Sequence, residues 1–127
     1  MKMMAESMRG IVIEQLGWPQ SLAVRQCKVP VPKPHQVLVR VLYAGLNFAD
    51  SLVIGGSYQE KPELPFTPGA ELCGEVVQLG DNVHGLMPGQ RIMGQVAHGA
   101  FAEYAVVDQA RLVLVPPAMH SREAAGF

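Results

Sequence analysis

The feature that most limits the fold of this chain is the frequency of its chain-breaking residues. Its 127 residues include 13 glycines and 10 prolines, spread along the whole length. Both residue types interrupt helices and central strands, so each regular element between them has to be short. The runs between these breaks are rich in valine, isoleucine and leucine, which favour extended structure. A chain of this kind is expected to form several short strands and little helix.

Aliphatic runs bounded by turns indicate where these elements lie. We predict at least six strands, at 11–13, 23–29, 37–46, 73–79 and 111–115 and in the motifs PGQRIMG and GAFAEYAVV. The spacing of Leu46, Ala49, Leu52 and Val53 predicts one to two helical turns, which Gly55 ends. A second helix is expected to begin at Ser121, a suitable capping residue. The resulting fold class is mainly β, a partly open antiparallel β-barrel with short helices.

Length and charge limit the domain count and the kind of partner. We assign residues 1–9 to an N-terminal extension or tag remnant and residues 10–127 to one domain. The formal net charge is −1 and there is no lysine or arginine run, which argues against nucleic acid as a partner. No apolar run could cross a bilayer, so we expect no membrane partner. Two isolated cysteines, Cys27 and Cys73, fit a reduced, cytoplasmic protein.

Several kinds of reaction centre lack their sequence signature. None of the four histidines has a metal-ligand spacing, and we interpret them as solvated side chains (His35, His84, His98 and His120). There is no Gly-x-Ser-x-Gly elbow, no phosphate-binding P-loop and no Gly-x-Gly-x-x-Gly turn. We therefore expect no dinucleotide-binding fold within these 127 residues.

A polar cluster follows the predicted strand 37–46. It comprises Asn47, Asp50, Ser51 and Tyr58, and polar groups at a strand end beside a glycine turn often form a site. A structural explanation is equally open at this point. Asn47 could cap the short helix while Asp50 is only an exposed helical residue.

The order of motifs across residues 10–127 is more specific than any single motif. The segment VLVRVLYAGLNFADSLVIGGSYQEKPELPFTPGAELCGEVVQLGDNV, followed by PGQRIMG and GAFAEYAVV, resembles the catalytic domain of the medium-chain dehydrogenase/reductase superfamily. The similarity is greatest to the zeta-crystallin type of quinone oxidoreductase and its quinone oxidoreductase-like subgroup. The resemblance implies a GroES-like fold. Family members continue into a Rossmann nucleotide-binding domain, whose motifs are absent here.

The resemblance also implies chemistry without a metal. Zinc-dependent members read Gly-x-Cys-x-x-Asp where this chain has Gly45 to Asp50, and Gly-His-Glu where it has Gly69 to Glu71. Asn47 and Ala70 thus stand at the positions of a cysteine and a histidine ligand. A catalytic zinc needs about three protein ligands, so the expected metal site is none.

Residue roles follow from the same resemblance. It implies that Asn47 and Tyr58 are catalytic, with Asn47 beside the nicotinamide ribose of NADPH and Tyr58 bordering the substrate cleft. It implies that Asp50 belongs to the cofactor-binding turn, which it organises. Glu71 matches a glutamate near the zinc of other members, and we expect it here to make a buried structural hydrogen bond. The implied acceptor is a small quinone or enone.

Two alternatives to an active enzyme remain at this stage. The same barrel resembles GroES co-chaperonins, so a non-enzymatic binding or structural module is possible by fold alone. The chain is also expected to be inactive without a nucleotide-binding domain. An apolar face involving residues 121–127 would then remain exposed and would promote self-association.

Overall fold

The computed structural model describes residues 6–17, 22–56 and 62–127. The order of elements in this part of the chain is β1 (Ser7–Ile13), β2 (Leu22–Lys28), β3 (Gln36–Gly45), α1 (Phe48–Gly55), β4 (Glu71–Leu79), β5 (Arg91–Gln95), β6 (Tyr104–Asp108), β7 (Leu112–Leu114) and α2 (Ser121–Ala125). A 3₁₀ turn, Gln109–Arg111, precedes β7. The predicted mainly β composition with short helices is confirmed.

The strands form two antiparallel sheets. β1 and β2 make a hairpin, and the other five strands lie in the order β6-β3-β4-β5-β7. Backbone hydrogen bonds join the hairpin to the larger structure: the Ile13 N–H donates to the Phe66 oxygen at 2.8 Å, and the Ile11 N–H donates to the Phe101 oxygen at 2.9 Å. The sheets do not close into one ring, as expected for a partly open barrel.

The main core lies on one face of the five-stranded sheet. β3 is an interior strand of this sheet, paired with β6 and β4, and its Val37, Leu38 and Val39 are all buried, as the predicted coverage of both faces requires. The buried members of the core are Val37, Val39, Leu72, Val76, Val83, Ile92, Ala100, Ala105 and Val107. Burial of this apolar surface is the main free-energy term that favours the barrel.

Two smaller clusters hold the helices. Ile54 of α1 packs with Ile13 of β1 and with Phe66, and all three are at least 95% buried. On the other helix, Ala124 and Ala125 pack with Cys73 of β4 and with Val115. Each helix is therefore attached through a few apolar side chains contributed by distant parts of the sequence.

Three sequence predictions differ in detail from the structure. β1 begins at Ser7 rather than at residue 11, because residues 7–10 pair with the end of β2 from Lys28 to Arg25. Leu46 does not lie on the buried face of α1, since it precedes the helix and is 76% exposed. The N-cap of α2 is His120, and Ser121 is the first residue of the helix. The extent of the domain itself stays a prediction.

Candidate functional site

The turn between β3 and α1 is built around one buried carboxylate. Asn47 has extended dihedral angles, φ −118° and ψ 159°, and is the N-cap of α1. Its backbone N–H donates to Oδ2 of Asp50 at 2.8 Å, and the Asp50 N–H donates to the backbone carbonyl oxygen of Asn47 at 3.0 Å. Asp50 is only 4% exposed, so the expectation of an exposed helical residue is wrong. The buried side chain fixes the backbone at Asn47 because it satisfies a donor that the helix leaves free.

This turn leaves the side chain of Asn47 exposed. The side chain also takes part in the capping box of α1, where it faces the Asp50 N–H, and its exposed amide group can donate hydrogen bonds to a bound molecule. Ser51 is half-buried on α1, close in sequence to the capped turn. Tyr58, the other predicted catalytic residue, lies outside the described residues. Of the predicted site residues, the structure therefore places Asn47 and Asp50 together at this turn.

Glu71 lies against the end of β3. Gly45 and Glu71 are partners in the β3–β4 pairing, and a Cβ atom at Gly45 would lie 2.0 Å from Oε1 of Glu71. The absence of a side chain at Gly45 therefore makes room for this carboxylate, two residues before Asn47. The predicted structural hydrogen bond of Glu71 is not found among the described residues, and its side chain is half-buried rather than buried.

A cavity of about 310 Å³ opens beside Glu71. Its other walls come from β5, the 3₁₀ turn, β7 and α2, with Met93, Gly94, Gln95, Ala110, Arg111, Leu112, Val113, Ala124, Ala125 and Phe127 as lining residues. This size lies at the lower end of the range for small-molecule pockets. Phe127 is 87% exposed at its rim.

Sequence analysis did not detect the contacts that hold α2 near this cavity. On β5, Nη1 of Arg91 donates to Oγ of Ser121 at 2.9 Å, and Nη2 donates to the Pro116 oxygen at 3.3 Å. Burial raises the pKa of the Cys73 thiol, while a hydrogen bond with Ser121 and the charge of Arg91 oppose that shift. Arg91 and Ser121 are thirty residues apart, so no local motif could indicate the pair.

The described residues offer no assembled metal centre. No group of three or more histidine, cysteine, aspartate or glutamate residues lies close enough together to bind a metal ion in this part of the chain. Cys27 and Cys73 are both free thiols. No helix in the described ranges is long and apolar enough to cross a membrane.

Comparison with known proteins decides the family. Residues 33–117 match the model of the alcohol dehydrogenase GroES-like domain, more than half of the chain. The chain belongs to this family. Strands β3 to β7 and the capped turn at Asn47 lie within the matched part, so the turn described above is part of the family domain.

Named relatives agree with the predicted resemblance to quinone oxidoreductases. The chain is 46% identical over 125 residues to the quinone oxidoreductase-like protein 2 homolog of Nematostella vectensis, covering 96% of the chain and 33% of that relative. It is 32% identical over 122 residues to the human quinone oxidoreductase, covering 94% of the chain and 37% of the relative. The chain therefore spans about a third of the length of these relatives.

Solved structures of the same superfamily share the fold. The human synaptic vesicle membrane protein VAT-1 homolog-like protein superimposes with a TM-score of 0.92 at 34% identity, covering 95% of this chain and 39% of that one. The Escherichia coli quinone oxidoreductase complexed with NADPH superimposes with a TM-score of 0.87 at 26% identity, covering 92% and 36%. The medium-chain fold assignment and the resemblance to quinone oxidoreductases are confirmed.

Proposed function

We propose that this chain is the catalytic domain of a zinc-independent, NADPH-dependent reductase of quinones or enones. The observation that carries the proposal is the Asn47 turn. An asparagine stands where zinc-dependent relatives have a cysteine ligand, and the buried Asp50 carboxylate holds its backbone while its carboxamide stays exposed. The relatives named as quinone oxidoreductases support the acceptor class.

Zinc independence is supported by the chemistry of the residues available. A carboxamide and the methyl group of Ala70 replace the thiolate and imidazole that would bind zinc, and neither is a good zinc ligand. Glu71 follows Ala70 at the third of these positions and could supply only one carboxylate ligand, whereas a catalytic zinc needs about three protein ligands. Charge on the acceptor oxygen must then be stabilised by hydrogen-bond donors such as the Asn47 amide and the Tyr58 hydroxyl.

NADPH fits the exposed side of the Asn47 turn chemically, because a carboxamide can bind ribose hydroxyls or a nicotinamide amide. When bound, the cofactor supplies the hydride. In our proposal Asn47 orients the nicotinamide end, Asp50 keeps Asn47 in place, and Tyr58 borders the acceptor. The choice of NADPH over NADH rests on the Escherichia coli relative whose structure contains NADPH.

The remaining binding energy for a dinucleotide would come from a second domain. Every strand pair among the described residues is antiparallel, whereas phosphate-binding dinucleotide folds are built on parallel strands. We propose that the nucleotide-binding domain packs near α2, and that these 127 residues alone turn over no NADPH. The fixed placement of two reactants contributes about 7–11 kcal/mol in favourable cases, and that contribution is lost without the second domain.

The test is a chimera in which residues 1–127 precede the nucleotide-binding domain of the Nematostella vectensis relative. We expect the chimera to oxidise NADPH with a simple naphthoquinone, and faster than NADH, in the presence of a zinc chelator. Asn47→Ala should lower kcat/KM by about 10²-fold, the loss typical of one positioned hydrogen-bond donor.

The control is Asn82→Ala. Asn82 is an exposed asparagine in the turn that follows β4, whereas Glu71 lies at the start of that strand. This variant should keep the activity of the chimera. If Asn47→Ala is as active as Asn82→Ala, or if the chelator abolishes turnover, the proposed chemistry is wrong. Steady NADPH oxidation by the 127-residue chain alone would contradict the need for a second domain.

A further inference from the structure

A cavity of about 600 Å³ is lined by both the β1–β2 hairpin and the edge of the five-stranded sheet. The hairpin contributes Met8 and Val12 to the lining, and the edge strand β6 contributes Tyr104 and Val106. The volume lies within the range of small-molecule pockets. None of the described residues that line it belongs to the turn before α1 or to the lining of the 310 Å³ cavity. The two cavities are therefore separate.

Backbone contacts fix the hairpin against the larger structure around this cavity. Gly10 forms an isolated bridge with Ala102, and Ile13 forms another with Phe66. The approach at Gly10 is close, because a Cβ atom there would lie 3.1 Å from Cβ of Ala102 and 3.2 Å from Sγ of Cys27. The hairpin and the sheet edge are thus held by their backbones, and a ligand would meet a largely preformed cavity.

Rings and aliphatic side chains supply most of the lining. Phe66 is 5% exposed and meets the His98 ring edge to face, with centroids 6.0 Å apart. Tyr104 adds a third ring, and Met8 and Val106 add aliphatic surface. Aromatic rings pack favourably in offset and edge-to-face arrangements, so this lining favours a planar aromatic ligand.

Two opposite charges also belong to the lining. Lys28 and Glu63 are both exposed there and form no ion pair with each other, and Lys28 forms none with any residue in the described ranges. The Lys28 ammonium has three donors and no acceptor, so it can bind a ligand oxygen. A carboxylate ligand would be attracted by Lys28 but repelled by Glu63, whereas a neutral carbonyl oxygen accepts from Lys28 without that repulsion.

We propose that this cavity is a second binding site, which takes a small, uncharged, planar aromatic molecule with a carbonyl oxygen. The rings of Phe66, His98 and Tyr104 contact the aromatic part of the ligand, and the Lys28 ammonium donates to its carbonyl oxygen. Binding is noncovalent. The site is separate from the Asn47 turn and does not depend on hydride transfer, so its failure would leave the proposed function unaffected.

Cys27 reports whether the cavity is occupied, because its half-buried thiol is part of the lining. The test measures the rate at which iodoacetamide alkylates Cys27 in the unmodified 127-residue chain, with the Cys27 peptide quantified by mass spectrometry. The probe is 2-acetylnaphthalene, an uncharged aromatic ketone. At about ten times the concentration that gives half-maximal protection, it should slow alkylation about tenfold. Absence of protection overturns the proposal.

The role of Lys28 is tested with a second probe. 2-Ethylnaphthalene has the same ring system and nearly the same shape but lacks the oxygen. The ratio of the two half-protection concentrations should shift about threefold in favour of 2-ethylnaphthalene in Lys28→Met, the lower end of what one hydrogen bond contributes, because Lys28 is exposed. Comparing this ratio between the two chains cancels the difference in hydrophobicity between the probes. An unchanged ratio contradicts the proposal.

Two matched tryptophan variants locate the site. Val106→Trp fills the cavity from β6 and should raise the half-protection concentration of 2-acetylnaphthalene about tenfold. Val113→Trp changes a 56%-exposed valine of β7 and should bind as the unmodified chain does. Circular dichroism checks that both variants fold, and Val12→Phe blocks the same cavity from the hairpin if Val106→Trp does not. Unchanged binding in the blocked variant, or loss of binding in Val113→Trp, overturns the proposal.

Discussion

Replacing Ile54 by alanine tests whether one apolar contact holds the candidate site in place. Ile54 is 1% exposed and packs between Ile13 of β1 and Phe66, on the helix that begins at Asn47. Removal of a buried isoleucine side chain down to alanine costs about 2–5 kcal/mol, since the cavity left behind collapses only in part. We take about 3 kcal/mol for this site. For a chain of 127 residues the entropy of unfolding is about 0.27 kcal/mol/K, so each 1 kcal/mol lowers Tm by about 4 °C.

Thermal unfolding followed by circular dichroism should therefore show a Tm about 10 °C lower for Ile54→Ala, and about 4 °C lower for Ile54→Val. The matched control is Leu46→Ala. Leu46 is an aliphatic residue on the other side of the same turn but is 76% exposed, so its loss should move Tm by no more than about 2 °C. Equal shifts for Ile54→Ala and Leu46→Ala would refute the claim that this cluster anchors α1.

Three other outcomes are expected. Hydrogen bonds from Arg9 lower the pKa of Glu103. They stabilise the fold above about pH 4.3, and this stabilisation is lost as the pH falls through the lowered pKa. Between pH 6 and pH 2, the urea concentration at the unfolding midpoint should therefore fall less steeply for Glu103→Gln than for the unmodified chain. We propose that the chain self-associates through the face beside α2, so Phe127→Asp, which removes an 87%-exposed aromatic ring there, should weaken that association about tenfold in sedimentation velocity. A monomeric chain, or an association constant unchanged by the substitution, would contradict this. Elemental analysis should find no stoichiometric zinc, since Asn47 and Ala70 replace the cysteine and histidine ligands of zinc-dependent members. About one zinc per chain would contradict this.

The strand pattern could be predicted because it depends on local sequence. Glycine and proline breaks bounded the aliphatic runs, and the helix after β3 was indicated by its spacing and by Gly55. Asp50 shows where local reasoning fails. It lies one helical turn before Ile54, whose packing partners Ile13 and Phe66 are distant in sequence, so the buried face of α1 is not evident from the helix alone.

The second helix shows a similar limit over a shorter distance. Ser121 is a more usual cap than His120, yet the chain turns into the helix one residue earlier and uses the imidazole instead. The hydroxyl of Ser121 is then available to accept from Arg91, a contact fixed by the barrel and not by the residues next to it. Such contacts decide which of two neighbouring residues becomes the N-cap.

The separate β1–β2 hairpin has a consequence for the order in which the chain folds. The hairpin is local, but its contacts with the rest of the barrel are not: the Arg9 N–H reaches the Glu103 carboxylate, 94 residues away. Contacts that close such long loops form late, because the chain loses entropy before it gains them. We therefore expect the hairpin to dock after the rate-limiting step of folding. Ile13→Val should then speed unfolding while leaving the refolding rate almost unchanged.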